Sequence, residues 1–256
     1  MKSKLTLAAA CAALALAAHA NAAVIINFAM TGTGQPLNGG LSAEPTALDA
    51  NVTATGLRLQ TGLAPTGSFA YNANTDRVIS APTAGTPAGT TFAQALTNGS
   101  YLMFSITPQA GYTVSLDSIT FQAASGSNNA TSDRAFYLVA ETAPANFTTG
   151  STVLSTDRTA FGGGTMPIQA ATATNTVPKD YNVSLTGVST MQSFGASTTQ
   201  YFRLYLQTPS SAQAITFDDI VLNGTVSAIP EPSSFAALAG LGALGCVAFR
   251  RRRVSR

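Results

Sequence analysis

Short segments in which apolar and polar residues alternate recur along this chain, and they restrict its fold more than any other feature. A period of two places successive side chains on opposite faces of a strand, and no sustained apolar period of 3.6 residues competes with it. Turn residues separate the segments, which are 24–30, 100–107, 112–123, 134–141, 181–188, 200–207 and 214–226. The pattern is typical of an all-β sandwich or barrel, and we expect an antiparallel β-sandwich.

Three stretches rich in Gly, Pro, Thr and Ala interrupt this pattern. They are 31–56, 63–99 and 162–176. We expect them to form long loops with a few short strands, or surface insertions. A tighter turn is predicted at 108–111, because Pro108 and Gly111 stand between two strong segments.

Segment 200–207 shows the clearest alternation. Its apolar face, which we expect to enter the core, consists of Phe202, Leu204 and Leu206. The opposite face carries Tyr201, Arg203 and Tyr205. These three side chains are candidates for glycan binding, with the rings against the apolar faces of sugars and Arg203 donating hydrogen bonds. The alternative is an ordinary outer face on which Arg203 lies along the neighbouring tyrosines.

The pair Asp218-Asp219 interrupts segment 214–226. Apolar residues before and after the pair have opposite phases of alternation, which predicts a β-bulge or bend that resets the strand. The two phases are those of Ile215 and Phe217 and of Ile220 and Leu222.

The same two aspartates are a candidate calcium site. Ca²⁺ takes several oxygen ligands, and Asp117 or Asp180 would have to be brought near Asp218 and Asp219 by folding. No EF-hand or glycine–aspartate repeat accompanies the pair. The alternative is that one aspartate caps the bulge while the other faces solvent, and we assign no cofactor.

Charged residues, cysteine and histidine are distributed unevenly along the chain. The net charge of +2 combines basic ends with an acidic middle, 23–229, which has ten carboxylates against six Lys or Arg. An acidic body lacks the basic footprint that nucleic acid binding requires. The two cysteines and the only histidine lie outside the body, at Cys11, Cys246 and His19. The body sequence thus excludes a disulfide, Cys–His or Ser–His–Asp catalysis and a histidine-based zinc or copper site.

Residues 1–22 are typical of a secretory signal peptide. Lys2 and Lys4 precede an apolar run at 5–18, and small residues follow. We expect cleavage after Ala20 or Ala22. The run is shorter than the roughly 20 residues that span a bilayer.

Residues 230–256 have three parts in order. Pro230, Glu231 and Pro232 come first, then an uncharged apolar run at 235–249, then an arginine cluster. The prolines favour an extended backbone, and the charge of Glu231 keeps it outside the bilayer. We expect the apolar run to form a short transmembrane helix, with the arginines holding its end in the cytoplasm. The cluster consists of Arg250, Arg251, Arg252 and Arg253.

These three parts resemble the PEP-CTERM sorting signal, which is also labelled an ice-binding protein C-terminal domain. The resemblance implies recognition by an exosortase, a membrane-embedded protease-transpeptidase of Gram-negative bacteria that make extracellular polysaccharide. It implies no ice-binding activity, since otherwise unrelated proteins share the tail. Residues 100–226 also resemble the β-jelly-roll bodies common among PEP-CTERM proteins. That second resemblance concerns architecture and leaves the activity open.

These features predict a signal peptide at 1–22, a jelly-roll-like β-sandwich body with long loops at 23–229 and a sorting signal at 230–256. We expect a non-enzymatic protein that is exported, held transiently in the inner membrane and then delivered to the cell surface or extracellular matrix. Its expected partners are an exosortase and extracellular polysaccharide, in a structural or adhesive role. Two alternatives remain open: a polysaccharide-active enzyme with paired carboxylates, and a calcium-dependent glycan-binding module.

Overall fold

The computed structural model describes residues 23–29, 42–61, 69–72, 77–80, 91–125, 133–168, 177–207 and 215–230. These residues form two antiparallel β-sheets and one α-helix, α1, at Phe92–Asn98. The prediction of an all-β, antiparallel architecture is confirmed. The predicted signal peptide, most of the predicted sorting signal and its predicted transmembrane helix lie outside the described residues. No helix in the described part of the chain has the length and apolar character needed to cross a membrane.

One sheet has eight strands within these ranges. Its main order is β12 (Lys179–Ser184), β9 (Tyr112–Ser125), β15 (Ile215–Ala228), β1 (Ala23–Phe28) and β3 (Ala47–Leu48). Strand β13 (Phe194–Gly195) also pairs with β9, and β7 (Arg77–Ser80) pairs with both β15 and β6 (Phe69–Asn72). The two 14-residue strands, β9 and β15, form the centre of this sheet.

The other sheet has seven strands among the described residues. Its order is β11 (Val153–Arg158), β10 (Ala135–Glu141), β14 (Gln200–Gln207), β8 (Ser100–Pro108), β5 (Leu57–Thr61) and β2 (Ser42–Ala43). Strand β4 (Val52–Ala54) pairs with β8. All seven segments predicted from alternation are therefore strands, and β14 has the predicted bounds.

The core lies between the inner faces of the two sheets. The alternation of β14 is confirmed there, because Phe202, Leu204 and Leu206 are each at most 2% exposed. Aromatic rings from both sheets meet in this layer: Phe121 of β9 contacts Phe136 of β10 with ring centroids 5.3 Å apart. Burial of such large apolar side chains is the main stabilising contribution to a fold of this kind.

A β-bulge at Asp218–Asp219 resets β15, as its phase change predicts. The pairing with β9 shifts register between Asp218 and Val221, and Asp219 has a φ of 46°. The extra residue allows apolar side chains on both sides of the bulge to face the core. Ile215, Phe217, Ile220 and Leu222 are all 0% exposed. The bulge also separates the part of β15 that pairs with β7 from the part that pairs with β1.

The stretches predicted to be loops contain more structure than expected. Helix α1 lies within 63–99 and begins with a capping box, in which the Thr91 hydroxyl accepts from the Gln94 amide and the Gln94 side chain accepts from Thr91. It ends at Gly99, which has a φ of 63°. Strand β12 ends at Ser184 rather than 188, because the chain turns where the Val188 amide donates to the Leu185 carbonyl.

The sandwich has two distinct ends. At the end that we call the turn end, the predicted 108–111 turn joins β8 to β9, with Gly111 at a φ of 85° and the Tyr112 amide donating to the Gln109 carbonyl. Strand β15 finishes there, since Ala228 pairs with Tyr112. At the opposite end, the loop end, β15 and β10 begin and β9, β11 and β14 finish.

Candidate functional site

The predicted glycan strip lies on the outer face of the seven-stranded sheet. Helix α1 and the segment 143–152 pack over this face, and Phe147 contributes a buried ring from that segment. The strip is therefore covered unevenly: Tyr205 is 1% exposed, Arg203 is 9% exposed and Tyr201 is half-buried.

Arg203 lies between two aromatic rings. Its guanidinium carbon is 4.3 Å from the ring centre of Tyr101 and 3.9 Å from that of Phe147. Nη1 donates to the Tyr205 hydroxyl at 2.9 Å, and Nη2 donates to the Pro144 carbonyl at 3.2 Å. Arg203 thus lies along neighbouring rings, as the alternative interpretation of the strip expects, and it holds segment 143–152 against the sheet.

Tyr205 is the centre of a small aromatic cluster. Its ring centre lies 4.9 Å from that of Tyr101, 5.7 Å from Phe92 and 6.3 Å from Phe147. Burial raises the pKa of the Tyr205 hydroxyl, although the hydrogen bond from Arg203 partly opposes the shift. The arrangement is a second apolar core on the outer face, distinct from the one between the sheets.

Tyr201 lies at the margin of this cluster. It pairs with Ser105 on β8 and with Glu141 on β10, which places the three residues in one row across the sheet. Both Tyr201 and Glu141 are half-buried. Of such a pair, the aromatic ring can contact the apolar face of a sugar, and the carboxylate can accept hydrogen bonds from the sugar hydroxyls. Glu141 became a candidate only through the strand register.

The candidate calcium ligands lie on the eight-stranded sheet. Gln122 on β9 pairs with Asp180 on one side and Asp218 on the other, and its amide nitrogen donates to Asp180 at 2.8 Å. The Asp218 carboxylate accepts from the Asp219 amide at 2.9 Å, which caps the bulge.

Asp117 is not brought to this row. It is five residues from Gln122 along β9, about 16 Å at the rise of an extended strand, and the register shift of β9 against β15 occurs there. The Asp117 carbonyl accepts from the Leu185 amide. Within the described residues, no group of three or more His, Cys, Asp or Glu side chains is arranged to hold a metal ion.

A charged cluster that the sequence does not reveal joins the edges of the two sheets. Asp157 of β11 accepts from the ammonium of Lys179 at 2.7 Å and from the hydroxyl of Tyr181 at 2.9 Å, both on β12. The amide and hydroxyl of Thr165 also donate to it, at 2.9 Å and 2.7 Å. Lys179 lies 4.7 Å from the ring centre of Tyr181 and also contacts the Thr165 hydroxyl.

These contacts shift the pKa values of both acids. Burial alone would raise the pKa of Asp157, but hydrogen bonds from Lys179, Thr165 and the Arg158 amide hold it well below its usual range. Burial, together with the hydrogen bond to Asp157, raises the pKa of Tyr181 far above its usual value. Asp157 is therefore a charged acceptor and Tyr181 a neutral donor at neutral pH.

An ion pair lies next to this cluster at the loop end. The guanidinium of Arg158 contacts both carboxylate oxygens of Asp133. The pair packs against the backbone of Gly162, where a Cβ atom would clash with both side chains. Thr159 donates a further hydrogen bond to Asp133 at 3.2 Å. These carboxylates hold the loop-end segments together.

The predicted sorting residues begin where the last strand ends. Strand β15 pairs with β9 as far as Ala228, and the Ile229 amide donates to the Gly111 carbonyl at 2.7 Å. Pro230 is the next residue and is exposed. Glu231, Pro232 and the arginines Arg250, Arg251, Arg252 and Arg253 lie outside the described residues.

Several solved structures are similar to the body at low identity. The CBM22-1 xylan-binding domain of Paenibacillus barcinonensis Xyn10C is 9% identical, with a TM-score of 0.34 over 79% of this chain and 94% of that one. The K3 cleaved adhesin domain of Lys-gingipain from Porphyromonas gingivalis w83 is 17% identical, with a TM-score of 0.32 over 68% and 91%. The N-terminal cellulose-binding domain of Cellulomonas fimi β-1,4-glucanase C is 13% identical, with a TM-score of 0.30 over 77% and 97%. Scores this low assign no function.

The C-terminal residues give a specific match. No curated protein matches the chain by sequence. Residues 228–253, however, match the family model described as the PEP-CTERM protein-sorting motif. The match covers the Pro-Glu-Pro residues, the apolar run and Arg250, Arg251, Arg252 and Arg253. The chain therefore carries a PEP-CTERM protein-sorting motif, which follows directly on the last strand of a two-sheet β body.

Proposed function

We propose that the chain is a non-enzymatic protein of the cell surface or extracellular matrix, sorted by an exosortase of a Gram-negative bacterium. The observation that carries this proposal is the sorting motif at 228–253, which begins at the last residue of β15. The motif is attached to a body whose chain crosses repeatedly between two sheets, which suits a jelly-roll-like module of structural or adhesive function.

In this proposal the N-terminal and C-terminal segments of the chain act one after the other. The signal peptide at 1–22 directs export, and the apolar run at 235–249 then holds the chain transiently in the inner membrane. The arginine cluster fixes the topology of that helix, while the exosortase reads Pro230, Glu231 and Pro232. Processing delivers the body to the surface or to the matrix.

The engagement of the body's carboxylates supports a non-enzymatic role. Asp157 and Asp133 are held in structural hydrogen bonds and ion pairs, Asp180 accepts from Gln122, and Asp49 accepts from the amide of Asn51. Glycoside hydrolysis requires two carboxylates facing each other across a cleft about 5–10 Å wide. The contacts of these four acids, out of the ten in the body, support a structural role for them.

For an adhesive role, the proposed partner is extracellular polysaccharide, bound at the margin of the aromatic cluster. Tyr201 and Glu141 support this assignment, because they are neighbouring, half-buried and on the outer face. The other two residues of the predicted strip, Arg203 and Tyr205, fix the segments that border Tyr201. Tyr201 and Glu141 together form the proposed glycan platform, which the packed segments around them hold in place.

Incubation of the purified protein with the exopolysaccharide of its host tests this function. The proposal expects the protein to be retained by the polysaccharide without shortening it, in the presence or absence of EDTA. New reducing ends that disappear when one carboxylate is changed would establish the enzyme instead. Binding that is lost in EDTA and restored by Ca²⁺ would establish the calcium-dependent module, with Asp180 and Asp218 as the first ligands to test.

A further inference from the structure

Both segments that are directed to the membrane leave the body at the turn end. The sorting motif continues from β15 after Ala228, which pairs with Tyr112 beside the turn. Strand β1 begins at Ala23, directly after the predicted signal peptide, and Ala23 pairs with Gly224. The two exits are thus separated by four residues of β15, about 13 Å along the strand.

The connection from the body to the apolar run is short. Ile229 is still hydrogen-bonded to Gly111 at 2.7 Å, so the folded body extends as far as this residue. Six residue steps separate Ile229 from Phe235, where the apolar run begins. Fully extended, they reach about 20 Å. The body cannot move farther than this from the start of a membrane-inserted helix.

Uncharged segments build the turn end of the body. The three segments that build it, 104–116, 184–200 and 220–230, contain no Asp, Glu, Lys, Arg or His. The acids that border these segments are Asp49, Asp117 and Glu141.

The charged side chains of the body are concentrated at the loop end. Those described there include Asp133, Arg134, Asp157, Arg158, Lys179 and Asp180. These three acids and three bases balance, so this set carries no net charge.

From these relationships we propose that the turn end is a membrane-facing surface, against which the body stands upright while the tail is uncleaved. The lipid surface contacts the 108–112 turn, and the loop end points away from the membrane. Strand β15 alone is 14 residues long, about 45 Å, so the two ends lie at very different distances from the bilayer. This inference rests on the proposed membrane anchoring of the tail.

Two exposed alanines make a matched pair for testing the orientation. Ala110 lies in the turn at the turn end, and Ala160 lies at the loop end, just after β11. The body has no native cysteine, and Cys246 in the tail can be changed to alanine. Full-length protein lacking only the signal peptide, with Ala110→Cys or Ala160→Cys, then carries one fluorescent label at a known end.

The labelled proteins are reconstituted into vesicles of phosphatidylethanolamine and phosphatidylglycerol, 3:1, that contain a nitroxide-headgroup lipid. The proposal predicts several-fold stronger quenching at position 110 than at position 160. A 24-residue Gly/Ser linker inserted between Ile229 and Pro230 spans about 27 Å on average and should reduce quenching at 110 to the level seen at 160. Equal quenching at both positions, stronger quenching at 160, or a linker without effect would overturn the proposal.

This outcome is separable from the sorting proposal. Quenching measures how the anchored body stands, without any exosortase present. If position 110 is quenched selectively but Glu231→Ala leaves sorting intact in cells, the orientation holds and the proposed recognition of the motif fails. If processing depends on Glu231 but both positions are quenched equally, sorting holds and the orientation is wrong.

Discussion

The ammonium of Lys179 lies 2.7 Å from the carboxylate of Asp157, and this contact joins the edge strand of one sheet to the edge strand of the other. Lys179 belongs to β12 and Asp157 to β11, and Tyr181 donates to the same carboxylate from β12. The side chain of Asp157 is 10% exposed and that of Lys179 is 37% exposed. The buried acceptor is therefore the critical partner.

Replacement of Asp157 should destabilise the body strongly. Asp157→Ala leaves the buried hydroxyl of Tyr181 and the exposed donors of Thr165 without their acceptor, and we expect a loss of about 2–4 kcal/mol in the free energy of unfolding. Lys179→Met is the matched change on the partner and should cost less than about 1 kcal/mol, because solvent screens that charge. Urea denaturation of residues 23–229 measures both. A larger effect for Lys179→Met would contradict this ranking.

The same carboxylate should make stability depend on pH in the acid range. Because the pKa of Asp157 is lower in the folded state than in the unfolded state, its contribution is complete above the unfolded value of about 3.9 and is lost as the pH falls below it. Asp157→Asn removes this dependence. The difference in unfolding free energy between wild type and Asp157→Asn should therefore shrink between pH 6 and pH 2.5. A difference that grows on acidification would show that the sign is wrong.

Two tyrosines of one alternating strand should respond differently to truncation. Tyr205→Ala empties the centre of the aromatic cluster, and we expect a loss of about 3–4 kcal/mol in stability. Tyr201→Ala should cost little stability but weaken retention on exopolysaccharide about fivefold, or roughly 1 kcal/mol. Thermal denaturation and affinity electrophoresis separate the two effects. Unchanged retention of Tyr201→Ala protein would remove the proposed glycan platform.

The bulge offers a local test of backbone strain. Asp219 has a φ of 46°, a left-handed conformation that costs residues with a Cβ about 1 kcal/mol relative to glycine. Asp219→Gly should therefore be more stable than Asp219→Ala by about that amount. Deletion of Asp219 should prevent folding, because it would turn either Phe217 or Ile220 away from the core. Circular dichroism with urea titration distinguishes the three proteins, and a stable deletion variant would refute this account of the bulge.

The main strands and the bulge could be predicted because both depend on local alternation. In β14 and β15 alternate side chains face the core between the sheets, and the apolar residues at those positions leave a direct pattern in the sequence. Helix α1 was missed because its seven residues lie in a stretch rich in Gly, Pro and Thr. The signal was present in the capping box of Thr91 and Gln94 and in the terminating Gly99, which together could have located it.

The candidate site could be predicted only in part, because its chemistry depends on contacts between distant segments. Tyr201 and Tyr205 alternate identically, and what separates them is the helix and the segment that cover one and not the other. Asp157 and Lys179 are 22 residues apart and lie in different sheets, so no spacing rule brings them together. The sorting motif needs no such tertiary contact, which is why its residues could be identified directly.

The most direct test of the account is the Glu231→Ala variant, followed by cell fractionation with an epitope in a body loop. Replacement of the arginines and replacement of the glutamate should have different effects. Neutral replacements of Arg250, Arg251, Arg252 and Arg253 should impair retention of the tail in the membrane, since each arginine opposes passage of the helix end across the bilayer by about 2.5–3.5 kcal/mol. Glu44→Ala, at an exposed acid of the body, is the matched control and should be sorted like wild type.

Glu231→Ala protein should lose its signal peptide but accumulate at full length in the inner membrane, because the exosortase no longer recognises the extended Pro-Glu-Pro segment. Wild-type and Glu44→Ala proteins should reach the surface or the medium in processed form. Arrival of Glu231→Ala protein at the surface with wild-type size and yield would contradict the central claim that this carboxylate is read during sorting.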